Sequence, residues 1–159
     1  MAKRVLVPVD GSGVSESILP FLLELGNPKD LDIILLQVNG IIPPMAIEGT
    51  CYFTPDDVEG RRAEARKYLR RLADELQNAG LRVVTRVRRG EPVDEILGAV
   101  REEAVDLIAM ATHGRTGPAR VLWGSVAEGV LRRAPVPVFL LRRTEKEAPR
   151  RRRPVAAAG

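Results

Sequence analysis

The chain has 159 residues, 45% of them apolar and 29% charged, and a formal net charge of +4. These proportions indicate one globular domain and exclude a disordered chain, and no apolar run is long enough to cross a membrane. Arginines 150–153 carry four positive charges, so the other residues are formally neutral and do not favour nucleic-acid binding. Cys51 is the single cysteine, which excludes an internal disulfide, and we therefore expect a cytoplasmic protein.

The first half of the chain predicts two buried strands with a helix between them. Uninterrupted runs of Val, Ile and Leu place the strands at 3–9 and 32–38. Apolar residues at helical spacing over 14–25 predict the helix, although Pro20 removes one hydrogen bond and should kink it. A loop over 39–54 follows the second strand, and loops of this length are often functional or mobile.

The second half alternates helices and strands more regularly. Its predicted elements are a helix capped by Thr54 that ends at Gly80, a strand at 81–87, a helix that opens at 90–92, a buried strand at 105–110, a helix at 125–133 and a strand at 136–141. Polar and apolar residues alternate over 81–87, which indicates a strand that is exposed on one side or lies at an edge. Pro137 cannot donate to a ladder, so the last strand belongs at an edge or at a subunit contact.

The order β-α-β-α-β-α-β-α-β predicts an α/β fold, in which an open five-stranded parallel sheet carries helices on both faces, as in Rossmann-like proteins. Ligands of such sheets bind beyond the carboxyl ends of the strands, where the strand order reverses. The residues expected at that end are 9–12, 38–39, 90–92 and those after Met110. Periodicity and spacing thus specify a place in the fold and leave the ligand open.

The stretch 111–125 leaves a buried strand and ends where a helix begins. Its glycines allow a ligand to approach the backbone, and free N–H groups at a helix start attract phosphate. Arg115 can add charge-assisted hydrogen bonds. Two simpler interpretations stay open, because 125–128 has the sequence of a capping box and Asp10 has the position of a turn residue before a glycine.

At this loop the chain resembles the universal stress protein family. Members that bind ATP carry Gly-x-x-Gly, nine residues, and then Gly followed by Ser or Thr. Gly114, the nine-residue spacer 115–123 and the pair Gly124-Ser125 match this pattern, whereas Ala111 replaces its first glycine. Alanine is unstrained at that position if φ is negative and strained if φ is positive. The resemblance spans roughly residues 3–142 and also covers the segments 7–12, 35–38, 90–92, 106–108 and 134–138.

The resemblance implies a nucleotide-binding domain over 1–143 with an adenine nucleotide alpha hydrolase-like fold. The arginine-rich tail over 144–159 lies outside the resemblance, and we expect it to be disordered because its residues offer nothing to pack. The implied ligand is ATP, or ADP or AMP, with Mg²⁺ or Mn²⁺ bridging the phosphates, and the implied assembly is a homodimer through the last strand. The implied nucleotide-binding residues are Pro8, Val9 and Asp10 at the base and ribose, Val38 at the adenine edge, Gly114, Arg115, Gly124, Ser125 and Val126 at the phosphates, and Ala111 and His113 in the same loop.

A second group of charges lies on the helix predicted after Thr54. Its arginines are interleaved with acidic residues, a pattern that favours a solvated helix face. These arginines are Arg61, Arg62, Arg66, Arg70 and Arg71.

These observations favour a nucleotide-binding stress-response or regulatory protein with little or no turnover. The loop carries no Lys before its Ser, as a Walker sequence would, and no base that would position a water is evident, although slow ATP hydrolysis stays open. The main alternative is a dimeric interaction module whose site has lapsed through Ala111. A dinucleotide- or flavin-dependent enzyme is less favoured, because Gly11-x-Gly13 is followed by Glu16 where the third glycine would stand. Nucleic-acid binding by the arginine tail is the least favoured alternative.

Overall fold

The computed structural model describes residues 2–41, 55–114 and 124–144. Its elements in chain order are β1 (Lys3–Pro8), α1 (Gly13–Glu16), α2 (Leu19–Leu22), a short 3-10 helix (Pro28–Asp30), β2 (Leu31–Asn39), α3 (Pro55–Asn78), β3 (Arg82–Arg89), α4 (Pro92–Glu102), β4 (Leu107–Gly114), α5 (Ser125–Arg133) and β5 (Val138–Thr144). The predictions for the loop beyond residue 41, for the cap at Thr54, for Arg115 and for the arginine tail lie outside the described residues.

The strands form one parallel sheet in the order β3-β2-β1-β4-β5. This arrangement confirms the predicted open five-stranded sheet, and the strand order reverses between β1 and β4. β3 and β5 are the two edges, which was one of the two alternatives predicted for each of them. Pro137 takes part in the ladder only as an acceptor, since the N–H of Ile108 donates to its carbonyl oxygen over 3.0 Å.

Helices cover both faces of the sheet, as predicted, and each face has its own apolar core. Val5 and Val7 of β1 point toward α1, α2 and α3, whereas Leu6 between them points toward α4 and α5. Because neighbouring strand residues face opposite sides, a strand buried on both faces needs apolar residues at every position. This requirement explains the continuous runs in β1 and β2. Among the described residues, no helix has the length and apolar character needed to cross a bilayer.

The predicted first helix is instead two four-residue helices, α1 and α2. Pro20 lies in the first turn of α2, where a missing N–H breaks no helical bond, so the proline starts a new helix instead of kinking one. The apolar spacing still holds, because Ile18, Leu19 and Leu22 are buried against the sheet. Several strand boundaries also differ from the prediction, most of all those of β4 and β5, which both begin two residues later than expected and extend further.

Candidate functional site

A cavity of about 420 Å³ opens beyond the carboxyl ends of β1 and β4, at the point where the strand order reverses. Its volume is in the range of small-molecule sites, and its position is the one that parallel sheets use for ligands. Eight of the predicted site residues line it, namely Pro8, Val9, Asp10, Val38, Ala111, Gly124, Ser125 and Val126. Among the other predicted residues, His113 and Gly114 continue β4 opposite Arg143 and Thr144 of β5.

The cavity has an apolar part and a polar part. Leu36, Ile96 and Met110 contribute apolar side chains, together with Pro8 and Val38. The polar part is formed by Asp10, Ser12, Thr112 and Ser125. A ligand that fits this cavity therefore combines a flat apolar portion with hydroxyl or anionic groups.

Asp10 ends β1 and organises the turn that leads into α1. One of its carboxylate oxygens, Oδ1, accepts a hydrogen bond from the N–H of Ser12 over 2.9 Å, and its own N–H donates to Oγ of Ser15 over 3.2 Å. Ser12 in turn caps α1, because its Oγ accepts from the N–H of Ser15. The interpretation of Asp10 as a turn residue is thus correct, and the same exposed carboxylate also faces the cavity.

The Asp10 carboxylate is held in its charged form. Partial burial acts to raise the pKa of Asp10, but hydrogen bonds from Ser12 and Ser15 outweigh it and leave that pKa below its ordinary value. A carboxyl group with a lowered pKa stabilises the folded protein above its unfolded pKa, and this contribution is lost as the pH falls through the folded pKa. At neutral pH, Asp10 therefore presents a fixed negative charge and an acceptor for hydroxyl groups.

The start of α5 forms the polar wall of the cavity on the other side. Gly124 is the N-cap, its carbonyl accepts from the N–H of Glu128 over 3.0 Å, and no side chain caps the helix within the described residues. The predicted capping box is therefore wrong, because Ser125 is the first helical residue instead of the cap. The exposed hydroxyl of Ser125 and the first N–H groups of α5 remain available to a ligand.

Thr112 is a site residue that sequence analysis missed. Its side chain is buried, and its Oγ1 accepts a hydrogen bond from the N–H of Gly124 over 3.3 Å. This contact ties the end of β4 to the start of α5 across the spacer 115–123. The alternation of side chains in β4 gives a signal that could have found Thr112, since it lies on the same face as Met110, two residues before it.

Ala111 lies within β4, paired with Leu141 of β5. The one non-glycine residue with positive φ in the part of the chain that the structure describes is Ala104, so alanine is unstrained at position 111. Its methyl packs with the core under α1, α2 and α3, whereas α5 packs on the opposite face of the sheet. The replacement of the first motif glycine therefore adds no strain and directs no atom toward the start of α5.

The fold and the cavity define a parallel α/β protein with a ligand site at the switch point of the sheet. The family model described as the universal stress protein family matches residues 1–142. The chain therefore belongs to the universal stress protein family, which confirms the resemblance stated from the sequence.

Three relatives illustrate the match. Universal stress protein MJ0531 of Methanocaldococcus jannaschii is 30% identical over 147 residues, which cover 91% of this chain and 85% of that protein. The solved structure of MJ0577 from the same organism has a TM-score of 0.74 and 28% identity, and the match covers 93% of this chain and 99% of that one. The Arabidopsis thaliana protein At3g01520, solved with AMP bound, shares the fold with a TM-score of 0.64 at 22% identity, covering 93% and 96%.

Proposed function

We propose that this chain is a stress-response regulatory protein that binds ATP, or the related ADP or AMP, with little or no turnover. The observation that carries the proposal is that one cavity combines the uncapped start of α5, the Asp10 carboxylate and an apolar slot beside Val38. AMP bound to a relative of the same fold supports the choice of an adenine nucleotide. The lone cysteine is consistent with the reducing cytoplasm, which we propose as its location.

The start of α5 is the part of the cavity that suits phosphate. A helix start offers N–H donors and the positive end of the helix dipole, and both attract anions. The N–H of Gly124 is engaged by Thr112, so the groups that would bind phosphate are the N–H groups of Ser125 and Val126 and the Ser125 hydroxyl. Gly124 itself leaves room, because it has no side chain that would stand between the cavity and these donors.

The base would lie at the other end, against β2. The last ladder contact between β1 and β2 is the bond from the N–H of Val9 to the carbonyl of Leu36, at 2.9 Å. Backbone groups of alternate residues point to the same side of a strand, so those of Val38 also point toward β1, beyond the point where β1 turns away. An adenine edge can therefore bond to the backbone of Val38, with Asp10 accepting from ribose hydroxyls.

A divalent cation would depend on the nucleotide. Asp10 is the one acidic residue among the described residues that line the cavity, and the described part of the chain holds no cluster of three metal-binding side chains. Phosphate oxygens are hard ligands that suit Mg²⁺, and Mn²⁺ accepts the same ligands. The cation would neutralise phosphate charge, and Asp10 is the side chain of the cavity that could coordinate the cation.

Ser125→Ala tests the phosphate end separately from the base end. A hydrogen bond to a charged group contributes about 1.5–3 kcal/mol, so calorimetry should show ATP affinity lower by about tenfold to 100-fold in the variant. Adenosine lacks phosphate and serves as the control ligand, and its affinity should be unchanged. An equal loss for both ligands, or no loss for ATP, would contradict the assignment of Ser125 to the phosphates.

We also propose that the protein is a homodimer joined through β5. The apolar side chains of this edge strand are only half-buried, and in the described residues β5 pairs only with β4. The carbonyl of Pro137 points to β4, so by alternation the backbone of Leu140 points to the open edge.

The direction of the Leu140 backbone gives the test of this dimer. Leu140→Pro removes one outward donor while leaving the β4–β5 ladder complete, so sedimentation should show a dimeric wild type and a monomeric variant. Leu140→Ala keeps the donor and should remain dimeric. A monomeric wild type, or a dimer that survives the proline, would refute this assembly.

A further inference from the structure

We propose that the groove between α3 and the edge strand β3 binds an acidic peptide segment of a partner protein as a sixth strand of the sheet. This α3–β3 groove has a volume of about 600 Å³ and is lined by one side of α3 and by residues 83–87 of β3. It lies at the edge of the sheet and is lined by none of the residues of the nucleotide cavity. The proposal goes beyond nucleotide binding and does not depend on it.

The groove carries an excess of positive charge. Its lining contains the four arginines Arg62, Arg66, Arg70 and Arg86 against a single acid, Asp74, and in the described part of the chain only Arg86 is paired closely with an acid outside the lining, Glu103 at 2.6 Å. The closest acid to Arg66 is Glu59, at 3.7 Å between two largely exposed side chains, which is a weak ion pair. Within the described residues, Arg62 and Arg70 form no ion pair.

The solvated helix face predicted for α3 is observed, since its arginines are exposed, but they differ in whether an acidic side chain lies beside them. Arg71, on the other side of the helix, is neutralised by Glu16 at 3.2 Å and by Glu75 at 3.0 Å. Among the arginines that line the groove, Arg86 is paired with Glu103, whereas Arg62 and Arg70 have no acidic partner within the described residues. An anionic partner would supply the missing charge.

The exposed edge of β3 offers the backbone half of the interaction. Over the described residues β3 pairs only with β2, so every second residue directs its backbone groups outward. The carbonyl of Val83 accepts from Nε2 of Gln77 over 3.3 Å, and that of Thr85 accepts from Nη1 of Arg86 over 3.1 Å. The N–H groups of an added strand would donate to the same two carbonyls in place of these side chains. Beside them, Val84 is 46% exposed.

The spacing of the arginines fits an extended chain. Residues four apart on a helix are separated by about 6 Å along its axis, and alternate residues of a strand by about 6.6 Å. Arg62, Arg66 and Arg70 can therefore meet acidic side chains at every second position of a strand laid along β3. A strand edge selects a peptide backbone, which nucleic acid lacks, and so the geometry favours an acidic peptide over a polynucleotide.

The test uses the labelled octapeptide Val-Glu-Thr-Glu-Val-Glu-Thr-Glu in fluorescence anisotropy, with the full-length protein. Neutralising two cations through Arg62→Gln and Arg70→Gln should weaken binding about five- to tenfold, since each exposed ion pair contributes only modestly to affinity. Lys67→Gln with Arg101→Gln removes the same total charge from exposed positions outside the groove and should leave the affinity unchanged. The same peptide with N-methylated alternate amides should not bind.

Three results with peptides would overturn the proposal: no binding of the octapeptide by the folded wild type, equal binding of the N-methylated peptide, or equal losses in the two double variants. A single-stranded oligonucleotide of equal charge that binds as tightly through Arg62 and Arg70 would also overturn it. Hydrogen exchange gives an independent check, because the outward amides of β3 should exchange more slowly in the complex. Unchanged exchange at these amides in a saturated complex would also exclude strand addition.

Discussion

Replacing Gly124 with valine is expected to abolish measurable ATP binding while the protein stays folded. A β-carbon at this position would lie 3.3 Å from Oγ1 of Thr112, so the threonine would have to shift, and the two methyl groups of valine would cover the first N–H groups of α5. Crowding of this kind costs about 1–3 kcal/mol, and each lost hydrogen bond to a charged phosphate about 1.5–3 kcal/mol. The affinity should therefore fall by about 100-fold or more.

Calorimetry with ATP and Mg²⁺ on wild type and Gly124→Val measures this loss. The backbone of Gly124 has φ −51°, which valine can adopt, so circular dichroism should show an unchanged fold. Gly26→Val is the matched control, because no atom lies within 4 Å of a β-carbon added at Gly26. Equal ATP affinity in Gly124→Val and wild type would remove α5 from the site. If the folded wild type does not bind ATP, the alternative of an interaction module is favoured, and the loop then has only a structural role.

The largest expected effect on stability belongs to Gly129→Val in the middle of α5. A β-carbon there would lie 2.7 Å from Cγ2 and 3.2 Å from Cγ1 of Val93, so α4 and α5 would have to move apart. Overpacking of a close contact costs about 1–3 kcal/mol, and we expect the free energy of unfolding in urea to fall by about 3 kcal/mol. Because both helices begin at the nucleotide cavity, ATP affinity should fall in the same variant.

Gly60→Val gives the comparison for this effect. Gly60 also lies within a helix, but it is exposed and a β-carbon added there has no neighbour within 4 Å. Its free energy of unfolding should change by no more than about 0.5 kcal/mol, as is usual for surface positions. If Gly60→Val and Gly129→Val destabilise the protein equally, the tight contact between α4 and α5 is not the cause of the loss.

The sheet was predictable because its pattern is set by burial on two faces. Runs such as 33–36 contain apolar residues at successive positions, and a strand covered on both sides requires that arrangement. The alternation in β3 and the proline before β5 each indicated an edge as one of two alternatives, for equally direct reasons. The place of the cavity then followed from the rule that ligands bind where the strand order reverses.

The details of the site depend on backbone geometry that a sequence does not display. The sequence of residues 125–128 fits both a capping box and the first turn of a helix that starts one residue earlier. Only the φ and ψ of Gly124 distinguish the two structures. Ala111 left two outcomes open for the same reason, until its extended conformation in β4 was known. Thr112 is a long-range contact, because its partner lies twelve residues away and the approach of β4 to α5 brings them together.

The end of the β1–β2 ladder has a consequence for base selectivity. If Val38 presents its N–H and C=O to the base, the amino group of adenine donates to the carbonyl while ring nitrogen N1 accepts from the N–H. Guanine in the same orientation has an oxygen in place of that amino group and a hydrogen on N1, so both contacts become repulsive. Discrimination between adenine and guanine would then depend on main-chain atoms, and exchanging Val38 for another β-branched residue would leave it unchanged.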